Sequence, residues 1–192
     1  MVFFLCGVPG TGKTSIARIL KDRYNVVELG EVIKAERLYT NFDEETGSFV
    51  IDEEAVRSKI KDLLKDDTII EWIDLSFVDV QPTAAIVLRT NPLVLKKRLE
   101  ERGYPPKKVK ENVLAELLGV VHANIIKKWG DRVFDIDTST GGPDQSARLF
   151  ISVIEGRAKS QAIDWLTTLK PDELDVLIGQ IDFHSVAEDD TP

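Results

Sequence analysis

Six residues after its start the chain carries Gly7-Val8-Pro9-Gly10-Thr11-Gly12-Lys13-Thr14, which fits the pattern G-x-x-x-x-G-K-[ST]. Glycines at that spacing let the backbone curl until successive N–H groups face one anion. A helix opening near Gly12 adds the positive end of its dipole. In such a loop Gly10, Thr11, Gly12 and Ser15 lie along the phosphates of ATP. Lys13 reaches the β- and γ-phosphates, and the Thr14 hydroxyl sits on Mg2+. A carboxylate is the usual complement, and Glu71 after the apolar pair Ile69-Ile70 is the candidate, holding the metal through a water; Asp74 follows three residues on. A solvent-facing acid or a helix-cap partner are the alternatives for Glu71.

Cations form the second constellation. From Arg89 to Lys110 the chain has eight basic residues (Arg89, Lys96, Lys97, Arg98, Arg102, Lys107, Lys108 and Lys110) against Glu100 and Glu101. Arg98 and Arg102 are spaced to share one helix face. Near a phosphate loop they would neutralise charge on a transferring phosphoryl group. The break at Tyr104-Pro105-Pro106 would let this arm act as a lid. A solvated basic helix face is the plain alternative. Thr138-Ser139-Thr140 before Gly141-Gly142 is the third group, and Thr140 is expected along the adenine; a simple helix-start loop is the other reading. Trp72, Trp129 and Trp165 read as buried anchors, with Trp72 left open because it adjoins Glu71.

These residues need a parallel sheet to bring them together. Val2 to Cys6 reads as a buried strand, and Ile16, Ala17, Ile19 and Leu20 recur at helical spacing to about Tyr24. Val26 to Leu29 makes a second strand, a βαβ beginning. Glu31 to Leu38 reads as a helix and Tyr39 to Ser48 as a loop; Asp52 caps a further helix. Strands at Thr68–Ile73, Thr83–Leu88 and Val133–Asp137 complete the set. Asn91 or Thr90 with Pro92 starts a helix ending at Gly103. One long helix is expected from Lys107 to Trp129, and another from Pro143 to about Arg157. Beyond it lie short helices at Ala162–Leu169 and Pro171–Ile181 and an acidic end, Glu188 to Pro192.

The 192 residues suffice for one good core, and 43% hydrophobic with 30% charged residues is ordinary for a globular protein. A net charge of -8 argues against a wholly basic nucleic-acid-binding domain. One cysteine makes no internal disulfide and fits a reducing, cytoplasmic setting. No signal peptide is expected before the loop, nor a membrane partner, since no apolar stretch reaches the roughly 18 residues of a span. The two histidines have no cysteines around them, which disfavours structural zinc. A guanine-selecting N-K-x-D is missing after the later strands, so the loop does not read as that of a GTPase.

Together with the loop, Leu38-Tyr39 to Glu45, Phe49-Val50-Ile51-Asp52, Val87-Leu88-Arg89-Thr90, Arg98-Leu99-Glu100-Glu101-Arg102-Gly103-Tyr104 and Lys108 to Glu116 resemble the adenylate kinase isoenzyme six family. That resemblance covers roughly residues 1–157. It implies an α/β, adenylate-kinase-like P-loop fold in three layers, with a five-stranded parallel sheet, a helical NMP-binding insertion at 30–66 and a short lid at 98–112. Residues 158–192 then form a helical C-terminal extension with an acidic tail. It also implies ATP and Mg2+ as cofactors and phosphoryl transfer to AMP or another nucleoside monophosphate. Lys13, Arg98, Arg102 and Glu71 become the catalytic set. Gly30, Lys34, Leu38 and Asp52 belong to the acceptor flap, and Asn112 and Glu116 stabilise the helix after the lid. The family is further associated with ATP hydrolysis and small-subunit ribosomal RNA maturation beside a platform ribosomal protein. An ATPase assembly factor that grips such a protein and pre-rRNA is therefore the rival reading, and a small-metabolite kinase a third. One departure bears on the rival: the family's histidine after the acid is absent from Glu71-Trp72-Ile73-Asp74.

Overall fold

In the computed structural model, which describes residues 1–43 and 48–179, five strands form one parallel sheet. They are β1 (Val2–Cys6), β2 (Asn25–Glu28), β5 (Thr68–Glu71), β6 (Ala84–Arg89) and β7 (Val133–Asp137), in the order β2-β5-β1-β6-β7. Register is parallel throughout, with Leu5 opposite Glu71 on one side and Ile86 on the other. Every residue of β5 and β6 is buried, as expected when helices cover both faces of a sheet.

Alternation along the strands divides the core in two. Phe3, Leu5, Ile69, Ile86 and Leu88 face α1 (Lys13–Leu20) and α7 (Pro143–Ile154). Phe4, Cys6, Ile70, Ala85 and Val87 face the helices of the other layer. Those are α2 (Leu29–Glu36), α3 (Glu53–Leu63), α4 (Pro92–Glu101), α5 (Pro106–Leu117) and α6 (Val120–Trp129), with α8 (Trp165–Thr168) and α9 (Pro171–Ile178). The result is the expected three-layer α/β arrangement. Cys6 is fully buried, and that burial pushes its thiol far up, so it packs as a small apolar group. Among the described residues, no helix is long and apolar enough to cross a membrane.

Two expectations are corrected. Tyr39 to Ser48 is not simply a loop: β3 (Tyr39–Asp43) and β4 (Ser48–Ile51) pair as an antiparallel hairpin, Phe42 opposite Phe49. Its strands are held by ring contacts that polar neighbours conceal in the sequence, Phe49 lying 4.4 Å from Tyr39 and 5.0 Å from Phe42 between centroids. The single helix expected from Lys107 to Trp129 is two, broken at Gly119, whose φ is 64°. The Arg89 guanidinium sits there and donates to the Glu116 carbonyl at 3.0 Å, ending α5. Arg89 therefore leaves the exposed basic stretch: it is buried and paired with Glu116 at 2.9 Å. Asp52 caps α3 as expected, accepting from the Ala55 amide at 3.0 Å, and Asn91 caps α4. The acidic end and the last turn expected up to Ile181 lie outside the described residues.

The segment after α7 completes the core. Gln161 and Ser160 bond the backbone of β7, the sheet's edge strand, and Trp165, Leu169 and Leu177 are buried among the α2–α6 layer. Trp165→Ala is expected to lower unfolding free energy by about 3–5 kcal/mol, the range for losing a buried aromatic side chain. Trp165→Phe, which keeps the packing but drops the indole bond to Glu116 at 2.8 Å, should lose clearly less. Urea unfolding of both variants checks the order.

Candidate nucleotide-binding site

Parallel pairing of β1 with β5 and β6 puts the loops after all three strands at one edge of the sheet. There the Gly7 amide donates to the Ile73 carbonyl at 3.0 Å, tying the glycine loop to the end of β5. Gly10 has a φ of 93°, and a Cβ on it would stand 2.6 Å from Leu95 Cδ1 of α4. Gly12, with a φ of 99°, differs: a Cβ there would meet nothing within 4 Å. One glycine makes room for the protein, the other keeps the mouth of the loop clear where α1 opens. Thr11 is buried and its hydroxyl donates to the Val8 carbonyl at 2.9 Å. Thr14 and Ser15 are exposed at the opening.

Lys13 folds back over the loop, its ammonium donating to the Val8 carbonyl at 3.1 Å, and is only 8% exposed. Burial pulls its pKa below the ordinary lysine value, opposed by the charge of Glu71. Glu71, also 8% exposed, is pushed above the usual carboxylate range by burial, and Lys13 draws it part of the way back. The two expected catalytic groups thus line one cleft, each buried in the low dielectric that strengthens its field on the other. Asp74 is engaged elsewhere, accepting from the Ser76 amide at 2.7 Å and from Asn124 at 2.8 Å.

The arginines approach from α4. Arg98 donates to the Thr138 carbonyl at 2.7 Å and to the Gly10 carbonyl at 3.5 Å. Arg102, at the C-terminal end of α4, lies near enough to lower the pKa of both Arg98 and Lys13. Thr138 is the hub of this wall. Its hydroxyl contacts the Thr11 carbonyl at 2.9 Å, the Arg89 carbonyl at 3.0 Å and the Thr90 hydroxyl at 2.7 Å. In the turn after β7, Thr138, Gly141 and Gly142 line the cavity, and Thr140, the residue expected along an adenine, is not among its lining.

Two compartments meet at the loop. A pocket of about 140 Å3 runs from Gly10, Thr11, Gly12, Ser15 and Ile16 past Arg98 and Arg102 to Thr138, Gly142 and Ser146. A cleft of about 660 Å3 opens on the other side, between Lys13, Glu71, Trp72 and Gly30 and the lid residues Tyr104 and Asn112. Gly10, Gly12, Ser15 and Arg102 belong to both. Gly30 and Lys34 line the cleft, whereas Leu38 and Asp52 do not: the Asp52 amide bonds the Leu38 carbonyl at 3.1 Å, closing the base of the hairpin. Sequence reasoning missed Glu28, Glu31, Phe49, Tyr104 and Lys108 as lining groups. Lys108 crosses from α5 to the hairpin, donating to Ser48 at 2.9 Å. Asn112 is tied to its own helix through the Lys108 carbonyl at 2.6 Å. Glu116 is buried away from the opening, where it holds Arg89, the Thr90 amide and Trp165.

Comparison with known proteins agrees with this geometry. A family described as an AAA domain matches residues 4–119. A "Putative adenylate kinase" of Methanosarcina acetivorans is 33% identical over 186 residues, covering 88% of this chain and 100% of that protein. One of Methanocaldococcus jannaschii is 38% identical over 165 residues, covering 84% and 90%. Among solved structures, shikimate kinase from Acinetobacter baumannii in complex with shikimate has a TM-score of 0.58 at 16% identity, covering 81% of this chain and 93% of that one, a likeness of fold.

Gly10→Ala is expected to destabilise the chain by about 2–4 kcal/mol, the sum of overpacking against Leu95 and a non-glycine residue at positive φ. Gly12→Ala, with only the backbone term, should cost about 1–2 kcal/mol. Denaturant unfolding of the two variants tests the difference, and equal losses would contradict the contact with Leu95.

Proposed function

This chain belongs to the family of the archaeal proteins named "Putative adenylate kinase", and on that premise we propose that it is a nucleoside monophosphate kinase whose acceptor is AMP. The observation that carries the reading is the pair of compartments sharing Gly10, Gly12, Ser15 and Arg102. A transferase needs its donor and acceptor to meet with their phosphates at one place, and the shared residues are those that bind phosphate. ATP takes the pocket beside Thr138 and Gly142, and the monophosphate takes the cleft beside Trp72 and Gly30.

The reaction asks little covalent chemistry of the protein. A phosphate oxygen of AMP attacks the γ-phosphorus, the bond from that phosphorus to the β,γ-bridging oxygen breaks, and two ADP result. Catalysis is alignment plus stabilisation of charge. Arg102 is one of the shared residues, Lys13 lines the cleft beside them, and Arg98 braces the loop through the Gly10 and Thr138 carbonyls. The residues present suit a magnesium ion. Thr14 offers an exposed hydroxyl and Glu71 a carboxylate beside Lys13, and the described residues hold no cluster of three metal-ligating side chains. Such a sparse donor set fits an ion that keeps its waters and leans on substrate phosphates. When bound, the ion neutralises charge on the phosphates.

MgATP consumption should be slow alone and strongly stimulated by AMP, two ADP appearing per ATP, when assayed with AMP, CMP, UMP and GMP in turn. Hydrolysis indifferent to every monophosphate would overturn the proposal and favour the assembly-factor reading. Lys13→Ala should lower kcat by at least about 100-fold while circular dichroism and unfolding stay native. The lysine also sets a pH limit. Because burial lowers its pKa, its charge is lost as pH rises through a value below the ordinary ~10.4. kcat/KM for MgATP, which reports the free enzyme, should therefore fall on the alkaline side with a midpoint below that value. A midpoint at the ordinary value would contradict a desolvated Lys13.

A further inference from the structure

Trp72 follows Glu71 directly, and its amide bonds the Leu5 carbonyl at 3.1 Å while the next carbonyl, of Ile73, receives the Gly7 amide at 3.0 Å. Its side chain is therefore rooted between β5 and the start of the phosphate loop, and it lines the larger cleft, half-buried. One side of the ring rests on α2: a Cβ on Gly30 would come within 2.9 Å of Trp72 Cζ3, 3.7 Å of Cε3 and 3.9 Å of Cη2. Gly30 has no positive φ to explain it, and glycine weakens a helix. Room for the indole is what the glycine provides.

Two other aromatic residues line this cleft, and both are engaged. Phe49 packs between Tyr39 and Phe42 in the hairpin, and Tyr104 lies under the Lys108 ammonium, 5.7 Å from its centroid. Among the described residues, no ring pairs with Trp72. Charged groups of both signs line the cleft as well. Glu28 and Glu31 line it beside Gly30, with Lys34 paired to Glu31 at 3.4 Å, and Lys13 and Arg102 line it with Glu71 at the loop. Arg102 also lines the neighbouring pocket, so the cations at the loop stand where the two compartments meet.

We infer that the indole of Trp72 is the stacking platform for the base of the acceptor, orienting a nucleoside monophosphate with its ring on Trp72 and its phosphate towards Lys13 and Arg102. This rests on the kinase reading above and adds to it the residue that seats the acceptor base. A flat π-face is common to every base, and stacking on an aromatic side chain is tolerant of base identity. Trp72 therefore admits purine and pyrimidine monophosphates through the same contact, and discrimination among them has to come from other groups.

Steady-state kinetics on the full chain test this, with AMP, GMP, CMP and UMP varied at saturating MgATP. Trp72→Leu should raise KM for each monophosphate that the wild type uses by about 10-fold, within the range of base–aromatic stacking, and leave KM for ATP unchanged. Trp72→Phe, which keeps a π-face, should stay within about 3-fold of wild type. Binding provides a second readout. AMP should quench indole emission in the wild type and not in Trp72→Phe, where Trp129 and Trp165 remain as a constant background; if Trp72→Leu does not fold, this comparison decides. Quenching that survives in Trp72→Phe, an unchanged monophosphate KM in Trp72→Leu, or an equal rise in KM for ATP would each overturn the inference while leaving the kinase intact. A wild type without any monophosphate-dependent turnover would overturn both.

Discussion

One oxygen of the buried Glu116 carboxylate accepts from the Arg89 guanidinium at 2.9 Å, the Thr90 amide at 3.0 Å and the Trp165 indole at 2.8 Å. Placing a carboxylate and a guanidinium out of water is costly unless each is closely paired and hydrogen-bonded. Glu116 meets that condition only if α5, the end of β6 and the start of α8 all arrive together. Burial still raises its pKa, with Arg89 opposing. From Thr90 the connections continue through the Thr138 hydroxyl to the Thr11 carbonyl of the phosphate loop, and Arg98 grips the Thr138 carbonyl. The cavity wall at Thr138 and the phosphate loop is thus fastened, through Thr90 and Glu116, to Trp165 of α8.

Charge is distributed by the same logic. The protein as a whole carries -8, yet Lys13, Arg98 and Arg102 converge on the loop, and burial, with a smaller contribution from Arg102, lowers the pKa values of Lys13 and Arg98. The protein compensates these cations in part, Lys13 through Glu71 and Arg98 through the Gly10 and Thr138 carbonyls. A polyphosphate is what they complement, and the folding of the chain has already met the cost of gathering them, which is how preorganised sites stabilise developing charge. Glu71 partly offsets this field through its charge beside Lys13.

Local patterns were legible wherever the chemistry was local. The phosphate loop, the caps at Asp52 and Asn91, the five strands and the burial of Cys6 all follow from neighbours in the sequence. The hairpin of β3 and β4 did not show because its support is the contact of Phe49 with Tyr39 and Phe42, while Thr40, Asn41 and Asp43 gave the stretch the look of a loop. The break between α5 and α6 was hidden for a different reason. The apolar spacing from Leu114 to Ile126 is continuous enough for one helix, and what ends the first is the guanidinium of Arg89 arriving from β6. Counted by sequence, that same arginine belonged to a basic surface.

By itself, then, the sequence determined the fold class and the phosphate-binding element, because a glycine-rich turn between an apolar strand and an amphipathic helix specifies both within some twenty residues. It also named Lys13, Glu71, Arg98 and Arg102 as groups of the right chemistry. Tertiary structure alone decided their division of labour. Strand order brought the loops after β1, β5, β6 and β7 to one edge, which separated a pocket at Thr138 from a cleft at Trp72. It assigned Leu38 and Asp52 to the hairpin base rather than to the cleft, and it put the indole of Trp72 against Gly30. Those outcomes depend on distances between residues far apart in the chain, and no local preference encodes such a distance.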